Sequence, residues 1–282
     1  MFQEINDGVY RYDTHIKGPN VLIFAGVHGN EISGINACKN IMDDAKSGKF
    51  VLKKGKLVIV FANLDAIKLN VRFKDINMNR VFDGIDLNQN LSELTRLRDL
   101  KKLFLNVDYF LDLHSTSSDT EPFILCDESD NFFAQKLNAK FILNGVEKFK
   151  MFNGISNFFA KKNGSVAITY EAGQHLDNDS FMNALNCIYS LLSEIKMFDF
   201  TLINCAPNIL ELDELILKET NKDFWLKSFK NFTFLKKGTS ILNLDSNILS
   251  IKHDSFLIMP TPVETVKVGE ELCFLAKTKI LS

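Results

Sequence analysis

Four short, almost unbroken apolar runs set the limits on what this chain can fold into. They lie at 21–27 (VLIFAGV), 57–62 (LVIVFA), 107–113 (VDYFLDL) and 165–170 (SVAITY). Each is short and rich in β-branched or aromatic residues, which favours a strand over a helix. Near-continuous hydrophobicity, in place of in-out alternation, marks strands covered on both faces. Between them, stretches at 32–45, 92–105 and 178–198 carry helical spacing, with Ser92 placed as an N-cap of the second. This alternation predicts an α/β domain whose mostly parallel or mixed sheet is flanked by helices. After about residue 200 helical periodicity gives way to short strands and turns such as KKGT at 236–239, and three of the five prolines fall there. The chain is therefore expected to divide into 1–199 and a small β-rich region, 200–282.

Each apolar run hands over to a polar residue. Val27 is followed by His28, Ala62 by Asn63, Leu113 by His114 and Tyr170 by Glu171. Ligands of open α/β sheets bind outside the carboxyl ends of the strands, so these residues are candidates for one site. His28 and Glu31 stand three apart in a glycine-rich turn (GVHGNE) entering a helix, and both can point at one ion. Zinc in hydrolases takes three protein ligands from histidine and carboxylate and keeps a position open for water. His114, from a distant strand, supplies the third. Glu171 then stands where a general base is needed beside acidified water.

The stretch from 63 to about 90 shows no convincing helix or strand, and loops of that length tend to be functional or disordered. It contains Arg72 and Arg80, whose planar guanidinium groups can fix a carboxylate, although a solvated surface loop reads the same way. Singly, a strand-end histidine or a His-x-x-Glu spacing also fits residues with purely structural roles. His15, His175 and His253 do not fall at strand ends and are read as structural or surface residues.

Composition removes whole classes of function. A net charge of −2 over 282 residues leaves no basic footprint for nucleic acid or an anionic membrane. No window approaches the roughly 18 apolar residues of a membrane helix. The opening residues, MFQEIND, lack a cationic region followed by an apolar one, so no signal peptide and a cytoplasmic location are expected. The five cysteines (Cys38, Cys126, Cys187, Cys205, Cys273) form no CxxC pair and are expected to be reduced and mostly buried.

Taken together, Gly26-Val27-His28-Gly29-Asn30-Glu31, Asn63-Leu64-Asp65-Ala66, Arg72 with Asn79-Arg80, Asp112-Leu113-His114 and Tyr170-Glu171-Ala172-Gly173 resemble the succinylglutamate desuccinylase/aspartoacylase family, relatives of the zinc carboxypeptidases. The matching order spans about residues 20–175. The resemblance implies a zinc carboxypeptidase-like fold with a C-terminal β domain. It also implies one zinc per chain on His28, Glu31 and His114, with Glu171 as catalytic base. Arg72 would polarise the scissile carbonyl, and Asn79 and Arg80 would clamp a substrate carboxylate. The implied partner is a small anionic N-acyl amino acid, and the sequence leaves room for a homo-oligomer. A zinc carboxypeptidase acting on small or cell-wall-derived peptides would use the same ligands. A non-catalytic metal-binding protein would have no need of Glu171. Asn77 stands where the family commonly has a carboxylate behind a metal histidine, and an amide there accepts an imidazole N–H without charge. The cations upstream of Glu171 are Lys161 and Lys162, where eukaryotic members carry an arginine.

Overall fold

The computed structural model describes residues 1–83, 89–201, 206–245 and 247–279; Cys205 lies outside them. The chain opens with the strands β1 (Gln3–Asn6), β2 (Val9–Asp13) and β3 (Asn20–Ala25), followed by helix α1 (Ile32–Lys46). Strand β4 (Lys56–Phe61) and the short helix α2 (Leu64–Leu69) come next, then a 3-10 turn at Met78–Arg80 and helix α3 (Ser92–Leu100). The middle of the chain holds β5 (Tyr109–Thr116), β6 (Phe123–Cys126), α4 (Asn131–Ala134), β7 (Phe141–Asn144), α5 (Ser156–Lys162), β8 (Val166–Gln174) and α6 (Asn178–Glu194). Strands β9 (Asn208–Leu217), β10 (Phe224–Trp225), β11 (Thr233–Leu235), β12 (Ser240–Leu244), β13 (Asn247–Ser250), β14 (Ser255–Ile258) and β15 (Glu271–Thr278) complete it.

Among the described residues twelve strands form one mixed sheet in the order β1-β2-β4-β3-β5-β8-β6-β7-β9-β15-β14-β11, and β10-β12-β13 form a second, smaller one. Its centre, β4-β3-β5-β8, is parallel, so the carboxyl ends of four strands share one edge. The unbroken hydrophobicity of these strands follows from burial on both faces. Ile23, Leu57, Ile59, Leu111 and Ile168 pack under α1 and α6, beside Ile35, Ile41, Ile188 and Leu191. Their neighbours Leu22, Phe24, Val60 and Phe110 face the other way, against Leu94, Leu97, Phe104 and Ala160. Burying one such side chain fully is worth about 1.5–3 kcal/mol, so the sheet is held from both sides. The β-rich C-terminal region continues this same sheet, because β9 pairs in parallel with β7 and β15 lies against β9.

Several boundaries differ from the sequence expectation, each for a local reason. Strands β5 and β8 run on past residues 113 and 170, with His114 paired opposite Glu171 and Thr116 opposite Gln174. Both site residues therefore sit inside strands, kept extended because β6 also pairs with β8 at Phe123 and Glu171. The stretch after residue 63 is not free of helix. Asn63 caps α2 by accepting from the Ala66 amide (3.3 Å), and Asn70 ends it at φ 53°. Ser92 is the first residue of α3 rather than its cap, and its hydroxyl bonds Asp65 (2.7 Å). The same helix becomes 3-10 over Lys101–Phe104. Helix α6 stops at Glu194 because Lys196, at φ 61°, turns the chain away. Among the described residues no helix is long and apolar enough to cross a membrane. Cys38, Cys126, Cys187 and Cys273 are free and buried, and burial pushes the Cys38 thiol up to about 12.

Candidate metal centre

The turn after β3 begins at Gly26, whose φ of 69° is open to glycine at little cost. Gly29 follows against the backbone of α2; a Cβ there would lie 2.1 Å from the Ala66 carbonyl carbon. This close approach brings His28 and Glu31 beneath the loop that carries Arg72, and the Gly29 amide bonds the Arg72 carbonyl (3.2 Å).

Glu31 is the hub. Its Oε1 lies 2.7 Å from His28 Nδ1 and accepts from Arg72 Nη1 at 3.1 Å. Its Oε2 lies 2.9 Å from His114 Nδ1 and accepts the Ser115 amide at 3.1 Å. The outer nitrogens of both imidazoles face oxygens as well. His28 Nε2 is hydrogen-bonded to Asn77 Oδ1 (3.1 Å), and His114 Nε2 is in ion-pair contact with Asp112 Oδ2 at 3.0 Å, outside hydrogen-bonding geometry. His28, Glu31 and His114 are buried, and their candidate ligand atoms lie within 4.8 Å of one another.

This donor set fits a divalent cation. A neutral imidazole has one N–H. With the His28 hydrogen on Nε2 toward Asn77, and that of His114 on Nε2 beside the Asp112 carboxylate, both Nδ1 lone pairs face the Glu31 carboxylate. A cation placed among those three groups satisfies all of them. Charge points the same way, since Glu31 and Asp112 are buried carboxylates and Asp112 Oδ1 has no hydrogen-bond partner among the described residues. Uncompensated charge at such depth is costly. Burial lowers the pKa of His28, outweighing the pull of Glu31. For Glu31 burial works upward, but the two imidazoles and their hydrogen bonds hold its carboxyl well below the usual range. Among the protein groups alone His114 is raised well above an ordinary histidine, burial opposing and Asp112 and Glu31 prevailing; a cation at Nδ1 would take the place of that proton. Imidazole with carboxylate and an open position suits zinc among the common divalent ions.

Glu171 stands beside His114 on the neighbouring strand, and its Oε2 is buried without a hydrogen-bond partner among the described residues. Burial pushes its carboxyl up to about 7; Glu31 and Asp112 add to this, and His114 and Arg72 oppose it. Arg80 is held by its own turn, with Nη1 donating to the Asn79 carbonyl (2.9 Å), the guanidinium 4.7 Å over the Phe152 ring and Glu271 3.8 Å away. One cleft of about 1210 Å³ gathers every residue the sequence nominated: His28, Glu31, Arg72, Asn79, Arg80, His114 and Glu171. The C-terminal region lines it too, with Trp225, Lys227 and Thr261 among others.

His175 is the residue expected from the sequence to be structural or surface. It lines the cleft, with Nδ1 2.9 Å from Ser115 Oγ, because β8 is longer than its apolar run. His15 and His253 are exposed, as expected. Lys161 is bound to Asp130 (2.5 Å) and Lys162 to Asp83, so neither upstream lysine serves the cleft. Glu93 and Asp112 were missed; a charged residue inside an apolar pattern was the available signal for each.

Fold and side chains together define an α/β chain with a candidate single-metal centre at the carboxyl edge of its parallel strands. The family model described as the succinylglutamate desuccinylase/aspartoacylase catalytic domain matches residues 17–195, and the chain belongs to that family. A succinylglutamate desuccinylase of Photorhabdus laumondii is 28% identical over 211 residues, covering 66% of this chain and 65% of that protein. An aspartoacylase of Xenopus tropicalis is 36% identical over 131 residues, 42% of this chain and 41% of the relative. The chain thus spans less than two thirds of either protein's length. A succinylglutamate desuccinylase structure from Vibrio parahaemolyticus superposes with a TM-score of 0.80 at 16% identity, over 96% of this chain and 86% of that one. That from Chromobacterium violaceum gives 0.78 at 21%, over 99% and 91%. At these identities the likeness is one of fold.

Proposed function

We propose that this chain is a zinc-dependent amidohydrolase that releases an acyl acid and an amino acid from a small anionic N-acyl amino acid. Residues 1–199 would supply the chemistry, and 200–282 a β-rich flank that walls the cleft. The observation that carries this reading is the convergence of two imidazole Nδ1 atoms on one carboxylate, beside Glu171, whose buried Oε2 has no hydrogen-bond partner among the described residues. The desuccinylases and aspartoacylase among its relatives point to acylated amino acids as the substrate class.

His28, Glu31 and His114 would hold the ion, which supplies Lewis acidity and makes water acidic enough to ionise near neutral pH. Glu171 takes the proton at its open carboxylate oxygen and passes it to the leaving amine. Arg72, half exposed at the cleft and already touching Glu31, steadies the carbonyl oxygen as charge develops on it. Arg80 meets the substrate carboxylate. The Phe152 ring and the Asn79 carbonyl pre-set its guanidinium, which lowers the ordering cost of binding. The free, buried thiols fit a reducing cytoplasm.

The test is a panel of N-acetyl, N-succinyl and N-formyl amino acids with short peptides, read as amine release with and without chelator. Chelator-sensitive release from an N-acyl amino acid is expected. Release from peptides alone would favour a carboxypeptidase, and no release from any member would overturn the proposal.

A further inference from the structure

A run of buried and part-buried contacts passes behind the candidate metal centre and returns to it. From Glu31 it goes to His28 Nδ1, and from His28 Nε2 to Asn77 Oδ1. That same oxygen accepts the Asn79 amide (3.0 Å), which starts the turn carrying Arg80. Asn79 Oδ1 in turn accepts the Ser156 amide (3.0 Å). The Ser156 hydroxyl donates to Asp112 Oδ2, the oxygen that faces His114 Nε2, and His114 Nδ1 closes the circuit on Glu31. One residue, Ser156, joins the two halves.

Its place in the fold explains how it serves both. Ser156 is the first residue of α5, where a backbone N–H has no partner within the helix, so that amide is free for Asn79. The preceding segment is pressed onto the Arg80 turn: a Cβ on Gly154 would lie 1.9 Å from the Arg80 carbonyl oxygen, and the Phe82 amide bonds the Gly154 carbonyl (2.9 Å). The Ser156 side chain is fully buried and points at a carboxylate whose other oxygen has no hydrogen-bond partner among the described residues. With Asp112 held from one side by a hydroxyl, the carboxylate presents a fixed oxygen to the imidazole on the other.

We propose that Ser156 is a positioning residue, which fixes His114 for metal binding through Asp112 while its amide holds the Asn79–Arg80 turn at the same centre. The inference rests on the metal-site reading above. Outer contacts of this kind orient ligands, and losing one typically costs about 10–100-fold in metal affinity.

The experiment titrates the purified chain with Zn2+ against a competing chromophoric chelator. Ser156→Ala should raise the zinc Kd about tenfold, with the circular dichroism of the metal-free protein unchanged. In an Asp112→Asn background the same substitution should change Kd less than twofold, since the hydroxyl acts through that carboxylate. Ser156→Cys, which keeps the volume and a weak donor, should fall between wild type and Ser156→Ala, and it serves if the alanine variant does not fold. A wild-type Kd in Ser156→Ala or Ser156→Cys, or effects of Ser156→Ala and Asp112→Asn that multiply, would overturn the proposal. Absence of zinc binding by the wild-type chain would overturn the reading beneath it as well.

Discussion

Removing the Glu93 carboxylate should loosen the loop that brings Arg72, Asn77, Asn79 and Arg80 to the candidate metal centre. Glu93 is fully buried on α3 and sits in a nest of donors. Its Oε1 accepts the Lys74 amide at 2.7 Å and Asn63 Nδ2 at 3.2 Å. Its Oε2 accepts the amides of Asp75 (3.2 Å) and Ile76 (3.3 Å). One of these bonds is short and three are long. A hydrogen bond to a charged group contributes about 1.5–3 kcal/mol, and a buried donor left unpaired costs about 1–3 kcal/mol. Allowing for water reaching the half-buried loop, Glu93→Ala should cost about 3–5 kcal/mol. That is a large share of the roughly 5–15 kcal/mol that holds a domain together. Glu93→Gln keeps the shape but sets an NH2 group against N–H donors, so it should cost about 2–3 kcal/mol. Urea unfolding monitored by circular dichroism measures both. At roughly 2–4 °C per kcal/mol, Glu93→Ala should also lower Tm by about 10 °C. A change below about 0.5 kcal/mol in Glu93→Ala would refute the argument, because four donors would then have lost their acceptor at no cost.

Three further outcomes are expected. Glu171→Gln should bind zinc like the wild type and lose about 100-fold or more in turnover, measured as amine release and metal content on the same preparation; full activity would remove Glu171 from its role. Gly29→Ala drives a Cβ to within 2.3 Å of two backbone atoms of Ala66, so both Tm and zinc affinity should fall, and an unchanged pair would show the turn to be less constrained. Asp223 accepts from the amides of Glu219, Thr220 and Asp245 and from the Thr220 hydroxyl. Burial raises its pKa, but those bonds outweigh burial and leave it lowered. A lowered folded pKa means that the stabilisation is complete above the unfolded value of about 3.9 and disappears as pH falls through the folded one. The Tm gap between wild type and Asp223→Asn should therefore be widest at neutral pH and close below about pH 3.9, and a gap independent of pH would contradict this.

The parallel centre of the sheet and the residues of the candidate site were legible in the sequence because they rest on one physical requirement. Strands buried on both faces must be apolar throughout, so His28, His114 and Glu171 stood out as polar residues at the ends of apolar runs. What was hidden has the opposite character. Asp112 and Glu93 lie within patterned elements, and their roles come from partners far along the chain at Ser156 and at 74–76. Strands β6 and β7 are four residues each, too short for a periodicity to register. Strand β8 outlasts its apolar run by four residues, held there by β5 through Thr116 opposite Gln174, and this carries His175 to the cleft. Helix α2 did leave a signal, the Asn63 and Asn70 that begin and end it, but six residues hold too little apolar spacing to weigh against the polarity around them.

Metal content tests the central claim most directly. The chain, purified without chelator, should carry about one zinc per protein by elemental analysis, and His114→Ala, prepared alongside, should have lost most of it. Wild-type protein without stoichiometric metal, or His114→Ala retaining it in full, would contradict the assignment of His28, Glu31 and His114 as a metal centre.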